Sequence, residues 1–156
     1  MELQYKRATL NDLSLLTDTR ITILKAANRL DDSADLSLVR KNSQEYYRKS
    51  LQDGSHIAYL VFDGPQFVGA GGVSFYQVMP TYHNPTGQNA YIMNLYTAPT
   101  HRRRGIASHT LQLLIHAAYE RGVTRISLDS TQMGRPLYEK HGFVPMPDEL
   151  ELPYHT

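Results

Sequence analysis

The sequence predicts a mixed α/β fold in one domain over residues 1–156, and three observations carry that prediction. The hydrophobic pattern switches several times between strand-like alternation and helical spacing. At the centre of the chain an apolar strand-like run, a glycine-bearing turn, an amphipathic stretch and a β-branched run follow one another without interruption, giving strand, helix, strand. No repeat, linker or low-complexity tract divides the 156 residues, and a hydrophobic content of 41% is enough to fill one core.

"LQYKRAT" alternates and predicts a first strand, after which Thr9, Asn11 and Asp12 offer caps for a helix that turns Leu13, Leu16, Ile21 and Leu24 inward. A second helix is predicted over residues 38–51, and the Asp-rich "NRLDDSADLS" between the two is a solvated connection. "HIAYLVFDGPQFVGAGGVSFY" contains two β-rich runs around the turn "DGPQ", a hairpin pattern. "QVMPTYHNPTGQ" is a loop, and "NAYIMNLYTAP" a third run stopped by Pro99. From Ile106 the spacing is helical, with Ala107, Thr110, Leu111, Leu114 and Ala118 on one face and Gly122 as the stop. A strand in "VTRISLD", a small helix in "GRPLYEKHG" and a terminal pair of strands, "FVPM" and "ELELPY", complete the plan.

Composition narrows the function. Sixteen basic residues against fifteen acidic ones leave a formal charge of +1, which argues against a general nucleic-acid binder and makes any anion site a local one. The absence of cysteine removes disulfides, thiolate metal sites and a cysteine-linked intermediate. No apolar run reaches the length of a membrane span and the N-terminus has no signal-peptide pattern, so no membrane role and a cytoplasmic location are expected.

A local anion site is where the chain is most informative. In "THRRRGIASH" three arginines crowd against a glycine at a strand-to-helix turn. A helix N-terminus leaves backbone N–H groups unpaired and carries positive partial charge, arginine adds a fork suited to phosphate oxygens, and Gly105 admits close approach. Each exposed first-turn contact contributes only ~0.3–1 kcal/mol, so several must act together with other ligand contacts.

These residues also resemble a known family. "RRRGIA", Arg102 to Ala107, is similar to the acetyl-CoA diphosphate loop of the GNAT superfamily of N-acetyltransferases, and "GRPLYEKHGF" resembles that family's later "LYEKLGF" signature. The two occur in the expected order in the C-terminal half; the N-terminal half matches in element order only. The resemblance implies a central twisted, largely antiparallel sheet with helices on both faces and two parallel central strands that splay apart to admit pantetheine. Those strands would be residues 92–97 and 125–129, with backbone groups of Leu95, Tyr96 and Thr97 toward the pantetheine amides. The diphosphate of acetyl-CoA, the acyl-donor cosubstrate, would lie over Arg102, Arg103, Arg104, Gly105, Ile106, Ala107 and Ser108. Tyr138 would be the general acid to the CoA thiolate, a role that suits a phenol protonated at neutral pH. Two family features are absent: an asparagine after the second splayed strand, for which Ser130, Thr131 or Asp129 would substitute, and a glutamate near the first strand to act as base, for which Asp129, Glu139 and His83 are the candidates and a water chain or an acceptor that arrives neutral would serve equally well.

The expected activity is therefore acetyl transfer from acetyl-CoA to a primary amine, on a small molecule or a peptide, by direct attack in a ternary complex. The alternatives are a non-catalytic acyl-CoA-binding module and an RNA-directed, tRNA-acylating enzyme, the latter opposed by the near-neutral charge. Asp31, Asp32 and Asp35 would favour a cationic acceptor if they lined its pocket, and are otherwise a solvated turn. Tyr46, Tyr47, Tyr76, Tyr82 and Tyr91 are pocket or packing aromatics. His109, His116 and Glu120 share nearly one helical face but lack a further ligand, so no metal is expected. No helix follows the glycines of "VGAGG", which belong in a strand that something passes closely. The two C-terminal strands would offer an edge for a homodimer.

Overall fold

The computed structural model describes residues 2–154, so the expected domain ends at 1, 155 and 156 lie outside the described residues. Strand β1 (Leu3–Arg7) leads through a 3-10 turn into helices α1 (Leu13–Asn28) and α2 (Ser37–Asp53). The turn is fixed by a capping box: Thr9 Oγ1 accepts from the Asn11 amide, Asp12 accepts from the Thr9 amide at 2.8 Å, and Lys6 Nζ reaches Asp12 at 2.7 Å. Strands β2 (His56–Asp63) and β3 (Gln66–Gln77) form the expected hairpin, followed by β4 (Gln88–Thr97), α3 (Ile106–Glu120), β5 (Arg125–Leu128) and α4 (Arg135–Lys140).

The sheet order is β1-β2-β3-β4-β5, antiparallel throughout except for the parallel pair β4–β5. Alternation along the strands separates two faces. Ile57, Val73, Ala90 and Ile92 pack with Leu111, Leu114, Ala117 and Ala118 of α3, and Tyr138 of α4 leans on the same cluster. On the opposite face Ala58, Leu60 and Ala70 meet Leu16 and Ile23 of α1 and Tyr47 of α2. Helix α1 buries more than its hydrophobic spacing predicts. Thr17 and Thr19 are buried beside Leu16, Ile21 and Ile23 because each hydroxyl donates back to a helix carbonyl, Leu13 O at 2.9 Å and Leu16 O at 3.1 Å, whereas Leu13 and Leu24 are half-buried.

The glycines of β3 explain the closeness of α3. A Cβ on Gly71 would lie 2.7 Å from Thr110 Cγ2 and 2.9 Å from Leu95 Cδ1, so what passes over "VGAGG" is a helix of the same chain.

The C-terminal segment departs from expectation. Neither "FVPM" nor "ELELPY" forms a strand. Pro145, Pro147 and Pro153 cannot donate to a ladder, and Leu150, Leu152 and Tyr154 stand 99%, 95% and 87% exposed, so no buried face rewards extension there. The outer edge of β5 consequently has no strand neighbour among the described residues, and the strand-paired homodimer expected from the sequence lacks its strands.

Candidate functional site

The site begins with a defect in β4. Ala70 pairs with Tyr96 and Gly72 with Met93, leaving Asn94 and Leu95 opposite Gly71 alone, a bulge in which Asn94 takes φ +61°. Asparagine tolerates that left-handed conformation better than most residues. The bulge is held from α1, where Arg20 Nη1 donates to Asn94 Oδ1 at 2.7 Å. This long-range pair has no signature in the sequence, and both residues were missed.

Past the bulge the strands part. The last β4–β5 pair is Ile92 with Leu128, so residues 93–97 have β3 on one side and, among the described residues, no strand on the other. Leu95, Tyr96 and Thr97 lie on this open stretch. The Tyr96 ring is stacked on Phe67 at 6.0 Å, on the α1/α2 face, and Thr97 Oγ1 is buried with no hydrogen-bond partner. An unpaired backbone edge and an orphaned buried hydroxyl are groups that a polar ligand in the gap would satisfy.

The open edge runs into the arginine turn. Arg102 is extended, Arg103 takes φ +64° and Gly105 φ +79°, and α3 starts at Ile106 with no side-chain cap, so its first-turn N–H groups await an acceptor. Arg102, Arg103, Arg104 and Gly105 are exposed, Ile106 is fully buried, and Ala107 is half-buried. A histidine unremarked in the sequence anchors the turn: buried His101 contacts Asp63 Oδ2 at 2.9 Å through Nε2 and Thr100 Oγ1 at 2.8 Å through Nδ1. Ser108 Oγ lies 2.8 Å from His141 Nε2, which ties the start of α3 to the end of α4.

Tyr138 is half-buried on α4, its ring edge-on to Phe143 at 6.1 Å, and burial raises its pKa above the ordinary phenol value, keeping it protonated at neutral pH. Tyr138 and Ser130 share the wall of a cavity of about 760 Å3 beside β5, whose lining includes none of residues 102–108. This cavity thus lies along β5, and the arginine turn is an open surface rather than part of it. Of the candidate bases, Glu139 pairs with Arg135 at 3.3 Å, Asp129 sits beside Tyr91, whose pKa burial and that carboxylate push up to about 12, and His83 lies edge-on to Tyr82 in an exposed loop.

On the α1/α2 face Tyr46, Tyr47 and Tyr76 line a second cavity of about 420 Å3 that reaches β4 at Met93; Tyr82 and Tyr91 are not part of its wall. Asp31 and Asp35 are engaged by Ser33 and Ser37, and Asp32 by Lys25 at 3.2 Å, which makes this stretch a solvated turn. His109 packs on Tyr5 at 4.3 Å and His116 pairs with Glu120 at 2.8 Å, and among the described residues no group of three or more potential ligands is placed to share a metal ion. No helix among them is long and apolar enough to cross a membrane.

Residues 25–143 match the acetyltransferase (GNAT) family. The chain belongs to the GNAT family. As a GNAT protein it is similar across its length to solved relatives. A predicted acetyltransferase from Clostridium acetobutylicum, solved with acetyl-CoA, is 32% identical, with a TM-score of 0.88 over 97% of this chain and 96% of that one. A GCN5-related N-acetyltransferase from Ralstonia eutropha JMP134 is 25% identical, with a TM-score of 0.83 over 98% and 99% of the two chains. In sequence alone, an uncharacterized N-acetyltransferase of Escherichia coli (strain K12), YedL, is 32% identical over 100 residues, 61% of this chain and 57% of that protein. The match therefore spans little more than half of that relative's length. The GNAT assignment agrees with the mixed sheet, the helices on both faces and the parting of β4 from β5.

Proposed function

We propose that the chain transfers the acetyl group of acetyl-CoA to a primary amine. One observation carries the reading: an unpaired β4 edge, beginning where β5 leaves at Ile92 and Leu128, leads directly to an uncapped helix N-terminus flanked by arginines. Backbone groups of Leu95, Tyr96 and Thr97 would hold the pantetheine amides. The amides of Ile106, Ala107 and Ser108, the backbone of Gly105 and the side chains of Arg102, Arg103 and Arg104 would hold the diphosphate, with Ser130 as a further cofactor contact. Acetyl-CoA supplies an activated acyl group in a thioester. In the step itself the amine nitrogen attacks the acyl carbon, the new C–N bond replaces the C–S bond, the nitrogen's proton leaves to solvent, and Tyr138 gives its phenolic proton to the departing sulfur. The bulge at Asn94 supports the same assignment, because it turns the β4 backbone at the point where the reacting carbonyl would sit.

The test is a thiol-release assay with acetyl-CoA and a panel of amines, with mass spectrometry of the amine product. Amine-dependent thiol release together with an acetylated amine is the expected result. Acetyl-CoA binding without release for any amine would favour a non-catalytic acyl-CoA-binding module.

A further inference from the structure

We propose that the acceptor is an amine that also carries a carboxylate, held by Arg20, and that its apolar body sits among the tyrosines of the α1/α2 face; this rests on the acetyltransferase reading above. The cavity there, about 420 Å3, falls toward the small end of the ~300–1,000 Å3 usual for ligand pockets. Arg20, Asn42, Tyr46, Ser74, Tyr76 and Met93 form its wall. It reaches β4 at Met93, the first residue beyond the last β4–β5 pair, so it approaches the gap from the face opposite α3.

Charge decides the class of acceptor. Among the described residues Arg20 is the one charged residue lining the cavity, and no carboxylate lines it. Carboxylates on the surrounding elements are engaged elsewhere: Asp18 with Arg40 at 2.7 Å, Glu45 with Arg48, Asp53 with the Ser55 amide, and Asp129 with Tyr91. The hydrogen-bond partner of Arg20 is the neutral amide of Asn94, which orients the guanidinium at the bulge without compensating its charge. A half-buried guanidinium with donors to spare and no anion beside it is the complement of a carboxylate.

The remaining polar groups in and beneath the cavity are neutral. Tyr46 Oη lies 2.9 Å from His56 Nδ1 and 2.6 Å from Ser74 Oγ, and burial, aided by the Arg20 charge, lowers the His56 pKa to about 4. A polyamine or aminoglycoside would bring further cations against Arg20 with no carboxylate in the wall to receive them, a repulsive term that selects against that class. The cationic acceptor suggested by Asp31, Asp32 and Asp35 loses its support, because those residues are in the solvated turn.

The experiment measures kcat/KM at saturating acetyl-CoA for phenylalanine against phenethylamine, leucine against isoamylamine, and spermidine. The carboxylate-bearing member of each pair should be preferred about tenfold or more, the scale of one charge-assisted contact. Arg20→Gln should bring each ratio close to one, Arg20→Lys should retain part of it, and Asn94→Ala should lower both rates while keeping the preference. Arg20→Gln that slows both members equally and leaves the ratio unchanged would overturn the inference, since that is what a purely structural Arg20 predicts. Preference for spermidine or the decarboxylated amines would overturn it too, as would acetyl-CoA binding with no transfer to either amino acid. Absence of acetyl-CoA binding in a direct titration would overturn the acetyltransferase reading itself, and this inference with it.

Discussion

At the residue scale, Tyr138 and His56 show how burial assigns protons. Burial holds Tyr138 as the neutral phenol, the form that can donate to a leaving thiolate. Tyr138→Phe should therefore lower kcat by roughly 100-fold, at the lower end of general-acid effects, with the acetyl-CoA Kd unchanged in a direct titration. His56 is neutral for the same reason, with a folded pKa of about 4 against 6.5 unexposed to burial. Between those values the unfolded chain binds the proton and the folded one does not. His56 thus costs no stability above pH 6.5, and stability falls as pH drops from 6.5 toward 4, by up to ~3 kcal/mol at ~1.4 kcal/mol per unit. Urea midpoints at pH 7 and pH 5 should differ less for His56→Gln than for wild type. The sequence made Tyr138 visible through a local motif. It could not reveal His56, Arg20 or Asn94, whose partners are distant in the chain; Arg20 and Asn94 are 74 residues apart.

At the element scale, close packing of α3 on β3 sets the width of the site. Gly71 has no room for a methyl group, with Thr110 Cγ2, Leu95 Cδ1 and Leu114 Cδ1 at 2.7, 2.9 and 3.0 Å from an added Cβ. Gly71→Ala should cost about 1–3 kcal/mol in chemical denaturation, the usual scale of overpacking, and should weaken acetyl-CoA binding because Leu95 moves with the bulge. Helices were legible because one face of each is apolar at the helical period, and β2 and β3 because they are near-continuous apolar runs buried on both faces. The terminal strands were misread for a related reason: "ELELPY" alternates like a strand, but alternation gains nothing without a neighbour to bury its apolar side. The bulge in β4 was invisible because the sequence "YIMNLYT" is regular, and the irregularity comes from how it pairs with β3.

At the scale of the whole molecule, apolar clusters on opposite faces of one sheet, and a third in which Ile106 packs with Val61 and Val68, hold the arginine turn and the Arg20 cavity near the β4–β5 gap. The arginine turn and Tyr138 were legible in the sequence as two ordered motifs; the Arg20 cavity carries no motif, and emerges only when α1, α2, β3 and β4 are brought together. Leu150 and Leu152 of the C-terminal tail belong to none of the three clusters, so replacing them with serine should change stability by no more than about 0.5 kcal/mol for each substitution, checked by thermal unfolding. We propose that the turn before α3 receives the diphosphate of acetyl-CoA. This is tested by calorimetric titration of wild type and Gly105→Val with acetyl-CoA, since a β-branched residue is strained at φ +79°, where the turn enters α3. Micromolar binding by wild type, lost in a variant that remains folded, is the predicted result; equal binding by both proteins, or binding by neither, would contradict it.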